Sequence, residues 1–178
     1  MATTLPARIA TAAVLLPALL AWGCSAPAPQ TREVTANGPE SSAPAAPLPE
    51  KTVTAREAMA SISGKVPTAK LVKVYSEDDD PNKLLGRPNG YTSKVAFSDS
   101  RISKRDIAGT GSDAIERGGS IEVYPDEQGA VDRAKYIQGM LKSTGFGTEY
   151  DYVRIGVLVR VTGNLTPSKA KEYKAALG

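Results

Sequence analysis

Glu149-Tyr150-Asp151-Tyr152-Val153-Arg154-Ile155-Gly156-Val157-Leu158-Val159-Arg160-Val161-Thr162 is the stretch that decides the fold. Glu149 to Val153 and Val157 to Thr162 are rich in β-branched and aromatic residues and alternate in polarity, the pattern of half-buried strands. Only Arg154-Ile155-Gly156 lies between them, so the two strands form an antiparallel hairpin. A parallel pair needs a crossover of a dozen residues or more, and none fits here.

The rest of the folding segment adds to this hairpin. Just upstream, Gly119 to Tyr124 reads as a strand with Ile121 and Val123 inward and Glu122 outward. Pro125-Asp126 then opens a helix with Ala130, Val131, Ala134, Ile137 and Leu141 as its apolar stripe; Asp132, Arg133, Lys135 and Lys142 lie off it, and Gly145 and Gly147 end it. Downstream, Thr166 caps a last helix with Pro167 at its first position and Ala170, Tyr173 and Leu177 on its buried stripe.

Toward the N-terminus, Thr54-Ala55-Arg56-Glu57 is a capping box for a short helix over residues 55–63. Ala69 to Tyr75 reads as a strand. Tyr91, Ser93, Val95 and Phe97 place one face of another strand in the core. Residues 98–118 read as a long loop pinned by Ile102, Ile107 and Ile115. The order α-β-β-β-α-β-β-α, with short links between strands, implies an α+β fold: a largely antiparallel sheet of about five strands with helices packed on one face. No internal repeat is present.

Ahead of this segment the composition changes twice. Ile9 to Ala21 is an apolar run behind Arg8, too short for the roughly 20 residues of a spanning helix and interrupted by Pro17. It ends at Cys24, the only cysteine in 178 residues. Ser25 to Glu50 carries Pro27, Pro29, Pro39, Pro44, Pro47 and Pro49 among small and polar residues, and cannot bury enough apolar surface to order itself. The expected organisation is a leader over residues 1–23, a disordered tether over 24–50 and one α+β domain over 51–178.

Composition excludes much chemistry. There is no histidine, hence no imidazole base or ligand. With Cys24 in the leader region, the folding segment has no thiol nucleophile, disulfide or Cys/His zinc site. Only Arg8, Arg32, Glu33, Glu40 and Glu50 of the ionisable residues precede Lys51, so the 22 Lys+Arg and 19 Asp+Glu leave the domain mildly basic with both signs interspersed. No nucleic-acid partner and no cofactor are expected from that pattern.

Three sets of residues remain as candidates. Asp78, Asp80 and Asn82, within Glu77-Asp78-Asp79-Asp80-Pro81-Asn82, alternate as oxygen donors in a calcium loop do, although the glycine and distal glutamate of an EF-hand are missing. The same run also reads as a solvated turn. Arg87, Tyr91, Tyr150, Tyr152 and Arg154 form a candidate binding surface, since recognition faces favour Tyr and Arg; core packing is the competing reading of the tyrosines. Asp78, Asp99 and Glu122 are the carboxylates a histidine-free hydrolase would use. Ser168-Lys169-Ala170-Lys171, Lys142-Ser143-Thr144-Gly145 and Gly109-Thr110-Gly111 echo acyl-transfer and phosphate-binding motifs without their order or context.

Leu20-Ala21-Trp22-Gly23-Cys24 resembles a bacterial lipobox, with Trp22 departing from the small-residue preference. Leu85-Gly86-Arg87-Pro88, Gly90-Tyr91-Thr92-Ser93-Lys94, Gly118-Gly119-Ser120-Ile121-Glu122-Val123-Tyr124 and Glu149-Tyr150-Asp151-Tyr152 resemble small lipoproteins of actinobacterial envelopes. The lipobox resemblance implies a diacylglyceryl group, with further acylation such as palmitate, on Cys24 as the mature N-terminus. The expected protein is therefore anchored by lipid to the extracytoplasmic face of the cell membrane. It is expected to be a non-enzymatic binding or accessory module of the envelope with a protein or wall-polymer partner. A small carboxylate-dependent envelope hydrolase and an inhibitor or chaperone-like module are the alternatives.

Overall fold

The computed structural model describes residues 53–178; the leader, Cys24 and the tether lie outside the described residues. Five strands, β1 (Ala69–Val74), β2 (Ser93–Asp99), β3 (Gly118–Val123), β4 (Glu149–Arg154) and β5 (Val157–Thr162), form one antiparallel sheet in the order β1-β2-β3-β5-β4. Three helices accompany it, α1 (Ala55–Lys65), α2 (Glu127–Thr144) and α3 (Pro167–Leu177), with a single 3-10 turn at Ile115–Arg117 before β3. Fold class and element order are those read from the sequence. Among the described residues no helix is long and apolar enough to cross a membrane.

The local signals act as the sequence implies at α1. Thr54 Oγ1 accepts from the Glu57 amide at 3.2 Å, and Glu57 Oε2 accepts from the Thr54 amide at 2.9 Å. The Ala55 amide, one of the helix's orphan donors, is satisfied by Ser93 Oγ at 2.9 Å, which ties α1 to β2. At α3, Thr166 stands at the N-cap, but its hydroxyl meets Ser168 Oγ at 3.0 Å and makes no capping bond to an amide.

Expected helices on one face hold for two of the three. α1 and α3 cover one face, where Met59, Ile62 and Tyr173 pack on Val95, Phe97, Ile121, Val159 and Val161. Phe97 and Tyr173 stack with centroids 5.3 Å apart. Ile102 is buried there, and Ile107 packs against it from the long loop. α2 lies on the opposite face: Ala130 and Ile137 pack with Ala96 and Leu158 and with Tyr75, Leu85, Tyr91 and Tyr124. Every residue of β3 is buried in consequence. A side chain at Gly119 would run into the Arg160 carbonyl and the Phe97 ring, so only glycine lets β2, β3 and β5 close up there.

Two expectations about facing fail. Glu122 was expected outward and is fully buried, because α2 covers the face to which it points. Tyr91 was expected on the Val95 face and packs instead on the α2 face. β2 begins only at Ser93, so strand parity does not extend back to residue 91.

A candidate ligand pocket on the helix α2 face of the sheet

Strand register lines up polar residues on the α2 face. Lys94 of β2 is opposite Glu122 of β3, and Glu122 is opposite Leu158 of β5. In the next row, Lys73, Ala96, Ser120, Arg160 and Asp151 stand side by side across all five strands. Period-2 alternation puts these residues on one side and the valines of the core on the other.

Most of the charges in these rows are neutralised by fixed partners. Lys94, 4% exposed, places Nζ 2.9 Å from Asp80 Oδ1. Asp80 is fully buried. It accepts from the Tyr91 hydroxyl at 2.6 Å and from the Leu84 and Leu85 amides at 2.9 and 3.2 Å. Burial by itself would raise its pKa, but the bonds from Tyr91 and Lys94 outweigh that and hold it well below the ordinary carboxylate range. The Asn82 amide oxygen faces Arg133 Nη2 at 3.1 Å and Lys94 Nζ at 3.0 Å. Glu122 takes Arg133 Nε at 3.4 Å and Arg160 Nη1 at 3.3 Å. Arg160 forks onto Glu149 through Nε at 2.9 Å and Nη2 at 2.8 Å.

These contacts correct the candidate metal site. Asp80 turns into the core, where an ammonium already occupies the place a cation would take. Asp78 is exposed, its carbonyl accepting from Lys83 Nζ at 2.7 Å, and Asn82 serves the cation network. No group of three or more acidic, His or Cys side chains among the described residues is arranged to hold a metal ion.

The candidate binding surface also separates. Tyr91 is fully buried. Tyr150 and Tyr152 are half-buried against the α1/α3 core. Arg87 is exposed in the loop over the α2 face. Arg154, at the end of β4, borders an apolar groove of about 330 Å³ with Val53, Ile62, Ile155 and Leu177. Of the hydrolase carboxylates, Asp99 is buried against Arg101 Nη2 and the Tyr173 hydroxyl, each at 2.6 Å, on the opposite side of the sheet from Glu122.

What the structure does assemble is a polar cavity of about 310 Å³ on the sheet face that α2 also covers. The turn at Asp79, Pro81 and Asn82 forms one wall and Asp113, Ala114 and Ile115 another; Tyr75, Lys94, Ser120 and Arg160 line it from the sheet. Lys73 bridges the walls, 3.2 Å from Asp79 Oδ2 and 3.4 Å from Asp113 Oδ2. The Tyr75 hydroxyl donates to Asp113 at 3.0 Å. Desolvation and that bond push the Tyr75 phenol far above its usual range, so it stays a donor. Ser120, only 6% exposed, is different: its Oγ has no hydrogen-bond partner among the described residues. Ser120 was not singled out from sequence; its parity opposite Ile121 was legible, but the cover that makes its hydroxyl matter was not.

The chain matches no protein-family model, no curated protein and no solved structure.

Proposed function

We propose that this chain is a lipid-anchored, extracytoplasmic and non-enzymatic binding module of the cell envelope, which takes a small polar ligand in the Ser120 pocket. The placement rests on sequence: a short apolar leader, the lone Cys24 behind it and a proline-rich tether of low apolar content. The binding role is carried by one observation, a buried hydroxyl without a partner lining a polar cavity. Buried polar groups are nearly always satisfied, so an exception at a residue that lines a cavity supports a bound group there. The hydrolase reading is weaker, because Asp99 and Glu122 are each tied into buried ion pairs on opposite faces of the sheet, and a general base must be free to take a proton.

The anchor is tested by fractionation. The wild-type protein is expected in the membrane fraction and Cys24→Ser in the culture medium; a Cys24→Ser protein that stays in the membrane overturns the lipid anchor. The pocket is tested by titrating soluble envelope fragments, both neutral sugars and short peptides, into full-length protein and into Ser120→Ala. At least one fragment is expected to bind, and to bind more weakly to the variant.

A further inference from the structure

We infer that the pocket is built for a compact zwitterion, an α-amino acid or a whole unblocked dipeptide, with its carboxylate at Ser120 and Arg160 and its ammonium at Asp79 and Asp113. This rests on the binding reading above and names the ligand class.

The inference starts from the two ends of the cavity. At one end, Ser120 and Arg160 are direct cross-strand neighbours on β3 and β5. The Ser120 hydroxyl is 94% buried and has no partner. A guanidinium carries five N–H donors in a planar fork. Arg160 directs three of them to Glu149 and Glu122, one each from Nε, Nη1 and Nη2. One N–H on Nη1 and one on Nη2 carry no bond to a described residue, and Arg160 lines the cavity together with Ser120. Such a pair, with a hydroxyl, is donor geometry suited to a carboxylate.

At the other end carboxylates outnumber the cation that serves them. One ammonium, Lys73, serves both Asp79 and Asp113. Lys94 cannot supply the second positive charge, because it is held by Asp80. The Asp79/Asp113 wall therefore keeps an excess negative charge, and both carboxylates line the cavity.

A simple anion would meet that wall, and a simple cation would leave the Ser120 and Arg160 donors unused. A molecule that carries both charges satisfies both ends. The volume, about 310 Å³, is at the small end of the roughly 300–1,000 Å³ typical of ligand sites, which suits a small molecule.

Titration calorimetry on the full-length protein in detergent tests this with alanine and dialanine as probes. N-acetylalanine and alaninamide remove one charge each, and N-acetylglucosamine is the neutral control. Alanine or dialanine is expected to bind at least tenfold more tightly than either single-charge analogue. Ser120→Ala is expected to weaken binding about tenfold, as loss of a hydrogen bond to a charged group does. Removing an unpartnered hydroxyl leaves the fold intact, so a lost signal reports on binding. Asp113→Asn is expected to lower zwitterion affinity while raising that of N-acetylalanine, whose lone negative charge no longer meets the full wall. Equal binding of a single-charge analogue, or zwitterion affinity indifferent to Ser120→Ala, overturns the inference. If N-acetylglucosamine binds in a Ser120-dependent way and the zwitterions do not, the zwitterion inference falls and the pocket reading stands. If no probe binds, both fall.

Discussion

Asp80 shows how far residue-level reading goes. Its alternation with Asp78 and Asn82 reads as oxygen donors on a loop, and Asp80 is an oxygen donor, but to Lys94, Tyr91 and two amides of its own loop. The sequence does not say that a lysine 14 residues on points at the same spot, because that depends on where the 80–91 loop folds over β2. Removing one member of such a buried pair leaves the other uncompensated. Asp80→Asn is therefore expected to destabilise the domain by about 3–5 kcal/mol in urea unfolding, and Asp80→Asn with Lys94→Met to recover much of that loss. Asp151 behaves in the opposite sense. Desolvation raises it to about 6, opposed by its bond from Gln138 of α2; Glu149 on its own strand and Glu122 on β3 add to the rise, and Arg160 on β5 opposes it. A carboxyl raised in the folded state contributes stability that is complete below the unfolded value near 4 and is lost as pH rises through about 6. Asp80 and Asp99, both lowered, contribute stability above that value that is lost as pH falls. Asp151→Asn is thus expected to stabilise the domain at pH 7.5 by roughly 1–2 kcal/mol once solvent screening is allowed for, read as a higher Tm. At pH 4 it should leave Tm unchanged. An equal shift at both pH values would contradict the assignment.

Elements were legible where their signals are local. The capping box of α1, the stripe of α2 and the 149–162 hairpin all occur as the sequence implies. What was not legible is which face each helix covers. One hint was available: Arg133 follows Ala130 by three residues and precedes Ile137 by four, so it belongs to the buried side of α2 and reaches Glu122. A hydrophobic stripe read by residue type alone passes over it. The hairpin turn carries its own prediction. Ile155 and Gly156 have φ of 47° and 72°, the paired positive values of a type I′ turn. Glycine and asparagine adopt that region readily, whereas a β-branched residue is strained there by roughly 1–2 kcal/mol. Ile155 is also 75% exposed, so its side chain adds little packing. Its amide donates to Glu127 Oε2 at 3.0 Å, a bond that any residue except proline keeps. Ile155→Asn is expected to stabilise the domain by about 1 kcal/mol, read as a higher urea midpoint at unchanged m-value.

At the scale of the molecule, helices on both faces leave the sheet exposed only along its two edges, β1 and β4. A free edge offers unpaired backbone donors and acceptors to another chain, and soluble domains guard against that with charge, bulges or short strands. β4 ends in Arg154 and begins with Glu149. β1 is the more hazardous edge, since Leu71, Val72 and Val74 are about 40% exposed. Two features guard it. The register with β2 shifts between Leu71 and Lys73, so Val72 sits in a bulge that interrupts a straight ladder. Lys70 stands exposed beside Leu71, and two copies pairing edge to edge would bring their lysines together. Lys73 does not repeat this protection, because it is drawn to Asp79 and Asp113 on the pocket side. Lys70 is therefore the charge on β1 placed to oppose edge-to-edge pairing. Lys70→Val is expected to leave the monomer's far-ultraviolet circular dichroism unchanged and to produce concentration-dependent self-association in light scattering, while Lys70→Arg stays monomeric. A Lys70→Val protein that remains monomeric at high concentration would shift the guarding role to the Val72 bulge alone.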